Sequence, residues 1–468
     1  MIIIIDNLIP LIYHPCSLLL RMILIIVKYK PFLFTIDIEE PMRNLLKKTL
    51  IGGAISIALL SSSIAFAKVE SKDVLTNYSN IAHAGFEDSL ITAKALQKAI
   101  ATFVATPTEE TMAEAKKAWI TARAPYQQTE VYRFGNAIVD DWEGKVNAWP
   151  LDEGLIDYVD SGAYGKESDE NPLYTANLIA NSKLKIAGKD VDASKITKAL
   201  LQDEIQEADE IESNVATGYH AIEFLLWGQD LNGNKAGAGA RKATDYDTKN
   251  CSNKNCDRRA SYLIAVTDLL VDDLTWMTAQ WATGGDARKG LLTGDAKKGL
   301  STILTGMGSL SYGELGGERM KLGLMLHDPE EEHDCFSDNT HNSHFYDAKG
   351  IQNIYKGSYT RVDGSVVKGV SISDMVAEKD AGIDKELQAK LGSTMDKMTV
   401  LVKTAEGGEA YDQMIGDGNA TGNKKVLDAV NALTAQTKAI EKAVTILGLS
   451  SIEFEGSDSL DAPDKVGG

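Results

Sequence analysis

Residues 196–227, ITKALLQDEIQEADEIESNVATGYHAIEFLLW, place Ile205, Ala208, Ile211, Val215, Tyr219, Ile222 and Leu226 at three- and four-residue spacing. That spacing predicts one long helix with a single buried seam, the kind from which helical bundles are built. Upstream, similar spacing predicts helices over 74–104 and 106–134. The second opens on Thr106-Pro107-Thr108-Glu109, a capping box with proline at the first helical position, and Pro125 should kink it. Downstream, 229–256 is rich in Gly, Asn, Lys and Asp and reads as a linker, after which helices fit 258–281, 296–326, 373–404 and 423–447. Asp363-Gly364 between short apolar runs signals a β-hairpin. Pro107, Pro125, Pro150, Pro172, Pro329 and Pro463 are the only prolines after residue 67. The expected fold is all-α: two helical-bundle domains packed together, with a small β-hairpin insertion in the second.

The chain has 468 residues, 44% hydrophobic and 25% charged, with 48 Lys+Arg against 67 Asp+Glu for a net charge of −19. These values exclude collagen-like, disordered and multi-span membrane classes. The acidic balance argues against nucleic acid or anionic lipid as the main partner and leaves a cationic ligand open.

Met42 begins a basic head (Arg43, Lys47, Lys48), an apolar middle (Leu50 to Leu60) and the small-residue end Ala65-Phe66-Ala67. This is the pattern of a secretory signal peptide over 42–67, cleaved after Ala67. Residues 1–41 are then expected to be a start-site artefact, their apolar runs being broken by Asp6, Pro10, Pro15 and Arg21. No Cys follows the cleavage site, so no lipid anchor is expected and the protein should be periplasmic or secreted. The domain reading is an N-terminal bundle over 68–240, a linker over 241–256 and a C-terminal bundle over 257–468 containing a ligand-rich loop, 327–344.

Chemistry concentrates at Gly218-Tyr219-His220-Ala221-Ile222-Glu223, where His220 and Glu223 stand three apart on one helix face and can share a metal. By spacing alone, a solvated surface pair explains them as well. Ala221 and Phe224 occupy the positions where the zincin motif requires Glu and His, and Phe224 also stands where the inverted motif requires His. No nucleophile elbow, P-loop or dinucleotide fingerprint is present.

The stretch from Asn214 to Gly228 resembles the G-x-H-x-x-E signature of the imelysin family, particularly its iron-regulated protein A branch. Agreement extends to Ala118-Trp119 with Arg123, Pro125-Tyr126, Glu130 and Arg133-Phe134, to Asn147-Ala148-Trp149-Pro150-Leu151-Asp152-Glu153 with Ile156-Asp157-Tyr158, to Gly313-Glu314-Leu315 with Gly317-Glu318-Arg319-Met320, and to Glu332 through His341. The resemblance implies two helical bundles, a site near the signature helix at their junction, export in bacteria and a link to iron uptake. Some relatives are classed as metallopeptidases. A hydrolytic zinc site needs three ligands, an open position and a base, whereas the motif offers His220 and Glu223 with no assigned base. Metal binding is therefore favoured over proteolysis, with His220 and Glu223 as the catalytic pair were it a peptidase.

Further ligands are expected from Glu130 first, then Asp152 or Asp157; Arg123 and Arg133 are the cations available to hold these acids. A solvated helix face is the competing reading for each acid. Arg123, Gly218, Glu314 and Glu318 are expected to line the bound group, the glycines around Glu314 and Glu318 permitting close approach of another backbone. In the loop 327–344, His333, Asp338 and His341 form a second candidate ligand set, with turn chemistry as the alternative. Histidine with carboxylates suits a divalent or trivalent metal ion, iron first and zinc after it. The expected partners are that ion or its chelate and a membrane uptake component. A third reading is a non-catalytic interaction module in which His220 and Glu223 brace an interface. Cys251 and Cys256 are expected to close a small disulfide loop and leave Cys335 free; the alternative joins Cys335 to one of them.

Overall fold

In the computed structural model, which describes residues 68–449 and 452–466, α1 (Ser71–Ala105) buries Tyr78, Ala82, Phe86, Ala93, Leu96, Ile100 and Phe103 at helical spacing. α2 (Glu109–Gln127) packs along it. Its cap lies two residues later than expected: Thr108 and Thr111 form the reciprocal box, because the Thr111 hydroxyl also reaches the Thr106 carbonyl. The helix runs through Pro125 and stops at Gln127, and a 3-10 turn, Glu130–Tyr132, follows. The assigned signal peptide (42–67) and the segment 1–41 lie outside the described residues.

The single helix predicted over 196–227 is a correction. The chain there forms a short turn of helix (Lys198–Leu200), a wide turn (Leu201–Ile205) and a 3-10 turn (Ala208–Glu210), before α4 (Gly218–Trp227) begins. α3 (Ala137–Asn147), which the sequence reading missed, lies across α4. Glu207, Asp209 and Glu210 all have positive φ. Side chains replace the lost helix bonds: Gln206 accepts from the Ala216 and Thr217 amides, and Asn214 donates to the Ala208 carbonyl. The apolar period survives because both sides of the break are buried. Gly218 sits at φ +80, and a Cβ there would lie 2.4 Å from the Val146 carbonyl oxygen. Gly218→Ala should cost roughly 1–3 kcal/mol from backbone conformation alone, with the clash added. Thermal unfolding checks this, and an unchanged midpoint would contradict it.

All ten residues of α4 are buried between α2 and α5 (Cys256–Trp281). α5 follows the segment read as a linker, yet packs along α1 rather than joining the later helices. That segment is itself pinned: Arg241 reaches Asp157, the Arg241 amide bonds the Trp227 carbonyl, and Cys251 is bonded to Cys256 with Cys335 free.

α6 (Ala296–Ser309) continues as a wide-turn helix, Leu310–Leu322, whose glycines admit backbone from the C-terminal segment; a Cβ on Gly313 would meet the Glu455 carbonyl at 2.6 Å. α7 (Thr340–Lys356) packs on α2 and α8 (Ala381–Glu406), and α9 (Ala420–Ile446) packs on α8 and the wide turn. The helix expected over 373–404 is interrupted at Asp380, whose carboxylate caps α8 by accepting from the Gly382 and Ile383 amides. The ligand-rich loop is shorter than expected, since α7 takes up residues from Thr340, including His341 and His344.

Two antiparallel hairpins complete the fold. β3 (Ser358–Thr360) pairs with β4 (Val366–Lys368) across the expected Asp-Gly turn. β1 (Lys183–Ile186) pairs with β2 (Lys189–Asp192) through Ala187-Gly188, a turn without the Asn-Gly or Asp-Gly signal. The protein is all-helical but for these.

Candidate metal centre

α4 starts at Gly218, so its first two turns carry His220 and Glu223 inward; they are 1% and 0% exposed. His220 Nδ1 lies 3.1 Å from Glu223 Oε2, while Glu223 Oε1 accepts the Ser337 amide at 2.9 Å. With Glu223 ionised, Nδ1–H donates to it and Nε2 keeps its lone pair, the arrangement by which a carboxylate orients a metal-binding imidazole; with Glu223 protonated the roles reverse and Nε2 carries the hydrogen. Nε2 is buried and has no hydrogen-bond partner.

The segment before α7 supplies the other side. The His333 ring lies 4.7 Å from that of His220, is 1% exposed, and neither of its nitrogens has a partner. One ligand atom from each of His220, His333 and Asp334 falls within 4.8 Å of the others, and no other such group of three occurs among the described residues. Asp334 is held hard: Oδ1 accepts from Arg123 Nη2 at 2.7 Å, Oδ2 from Asn339 and Ser343, and its amide donates to Thr340. Arg123 is 1% exposed, bonds Asn147 Oδ1 at 2.6 Å and lies over the Trp119, Tyr126 and Tyr219 rings. Asn147 in turn donates to Glu143.

Burial first, and Arg123 second, lower the His220 pKa to about 3; burial, then Arg319, hold His333 well below its ordinary value. Both rings are therefore neutral at physiological pH, the state that binds metal. Burial would raise Asp334, but the Arg123 charge and the Ser343 and Asn339 hydrogen bonds outweigh it and the carboxyl stays below its usual value. Burial, reinforced by Asp334, pushes Glu223 well up. Two imidazoles and a carboxylate fit a borderline cation such as iron, manganese or zinc.

Glu130, Asp157 and Asp152 are committed elsewhere. Glu130 is buried against Arg319, which also binds Glu314 and Asp347. Asp157 receives Arg241 and Arg259, two guanidiniums that would repel a cation. Asp152 accepts from Asn171 and Ser213. Of the second set, His333 faces His220 instead; Asp338 keeps one buried oxygen unpartnered, and His341 approaches Asn342 through Nε2. Gly218 serves the backbone, Arg123 positions Asp334, Glu314 pairs with Arg319 and Arg133, and Glu318 is half-buried outside the group. Sequence reasoning missed Asp334, whose signal was only its place beside His333, and Arg319, which joins Glu314 on its own helix to Glu130, Glu143 and Asp347 on other elements through contacts or charge.

Fold and site together define a helical-bundle protein with a buried histidine–carboxylate centre. The chain belongs to the imelysin family, whose model matches residues 82–440. It is 30% identical over 121 residues to iron-regulated protein A of Synechococcus elongatus; the match covers 24% of this chain and spans 32% of that relative's length. A crystal structure from Parabacteroides distasonis, described as an iron-regulated protein A precursor, superposes with a TM-score of 0.55 at 16% identity, covering 82% of this chain and 97% of that one. That likeness is one of fold.

Proposed function

We propose that the protein is an exported metal-binding protein of bacterial metal acquisition, with iron as the favoured cargo and His220, His333 and Asp334 as the ligand set. One observation carries the reading: two buried histidines, with three ring nitrogens between them that have no partner, each bring a ligand atom within 4.8 Å of the other and of the Asp334 carboxylate. Leaving such atoms unpaired is costly, so a site that keeps them is built for something that supplies the missing bonds. The iron-regulated names of two relatives support the choice of metal, and the precursor description of one, with the 42–67 pattern, supports export. Among the described residues no helix is long and apolar enough to cross a membrane.

The family's peptidase label suggests hydrolysis as a second reading. Glu223 is the residue nearest to a general base, but it is bonded to His220 and to the Ser337 amide. Binding is therefore preferred. Calorimetric titration of residues 68–468 with Fe(II), Fe(III), Mn(II) and Zn(II) tests it. One metal should bind at one equivalent, and a folded His220→Ala/Glu223→Ala variant should lose at least a hundredfold in affinity. Identical titrations for the two proteins would remove His220 from the site.

A further inference from the structure

We propose that a second, separate site binds an organic cation carrying a primary or quaternary ammonium group, in the cavity of about 480 Å³ bounded by Trp149 to Glu153 on one side and by Glu330, Glu331, Cys335 and Phe336 on the other. Its size is that of a small-molecule pocket. Asp152, Glu153, Asp230, Glu330 and Glu331 line it, and no Lys, Arg or His does. The charges acting on Glu153, Glu330 and Glu331 are all negative. Glu153 is 5% exposed; its carboxyl accepts from its own backbone amide and forms no ion pair with any described Lys, Arg or His. A buried acid on the wall of a cavity, surrounded by other acids and by no cationic side chain, is matched by a cation from the ligand.

The rest of the wall selects the kind of cation. Tyr164 and Tyr174 stack at 4.1 Å with an interplanar angle of 8°. The Tyr174 hydroxyl donates to the Tyr164 carbonyl at 2.7 Å, and the Tyr164 hydroxyl donates to the Tyr174 carbonyl at 3.3 Å. Gly154 makes room for this pair, since a Cβ there would meet Tyr164 Cε1 at 2.8 Å. Trp149 and Phe336 add further aromatic surface. Rings locked in advance bind an alkylammonium by cation–π attraction with little ordering cost. A bare metal ion needs its oxygens drawn into one shell, and these acids form no group of three within mutual ligand reach.

The test is calorimetric titration of residues 68–468 with putrescine and with tetramethylammonium, beside 1,4-butanediol and tert-butanol as their uncharged counterparts. At least one cation should bind at one equivalent, at least tenfold more tightly than its counterpart. Glu153→Gln, and independently Asp230→Asn, should each weaken it severalfold while the variants unfold at wild-type temperatures. A His220→Ala/His333→Ala variant should bind the cation within twofold of wild type, which separates this site from the metal centre. No heat from either cation, equal binding of an alcohol, indifference to both substitutions, or binding of Mn(II) alone in the His220→Ala/His333→Ala variant would each overturn the proposal.

Discussion

Replacing Asp157 by alanine will destabilise the protein by roughly 3–5 kcal/mol, the cost of removing one partner from a buried ion pair. Asp157 Oδ2 accepts from Arg241 Nη1 at 2.7 Å and from Arg259 Nε at 2.6 Å, and Oδ1 accepts from Arg259 Nη2 at 3.0 Å. Both arginine side chains are 1% exposed or less. After the substitution Arg241 keeps only Asp245, at 3.4 Å, and Arg259 keeps only carbonyl oxygens. The effect reaches α4, because the Arg241 guanidinium lies over Phe224 and the Arg241 amide bonds the Trp227 carbonyl. Chemical denaturation should show the loss, and Asp157→Asn, which keeps an acceptor, should lose less. A change below about 1 kcal/mol would mean that the guanidiniums find water or other acceptors.

The same residue shows what was legible in the sequence. Asp157 read as a candidate ligand, but nothing local announces that Arg241 and Arg259, 84 and 102 positions away, have claimed it. Glu130 and Arg319 repeat the case across 189 positions. His220 and Glu223 were legible because a three-residue offset on a helix puts them on one face wherever the helix goes. His333 was legible as a ligand type, yet its partner was misread: Asp338 and His341 are its neighbours in the chain, whereas His220 is its neighbour in space. The helices over α1, α5 and α9 followed from periodicity alone. That criterion failed over 196–217, where apolar residues are buried on both sides of a break made at the left-handed residues Glu207, Asp209 and Glu210, and the apolar spacing no longer reports backbone conformation.

His333→Leu will abolish metal binding and stabilise the metal-free protein. In the metal-free state His333 buries two ring nitrogens without partners, each an unmet polar group worth about 1–3 kcal/mol. Leucine removes that cost at the expense of ring contacts with His220 and Trp149, at 4.7 and 5.6 Å between centroids. The expected net gain at pH 7 is on the order of 1 kcal/mol. Acidity enlarges it. Burial holds the folded His333 pKa well below 6.5, so below that pH the unfolded chain takes a proton that the folded chain refuses. Wild-type stability then falls with pH by up to about 1.4 kcal/mol per unit for this group, a loss that leucine escapes. Denaturation curves of both proteins without metal should therefore diverge from pH 6.5 downward, and added metal should reverse the order by stabilising wild type alone. A variant less stable than wild type at every pH would assign His333 to packing and leave His220 without its partner ligand.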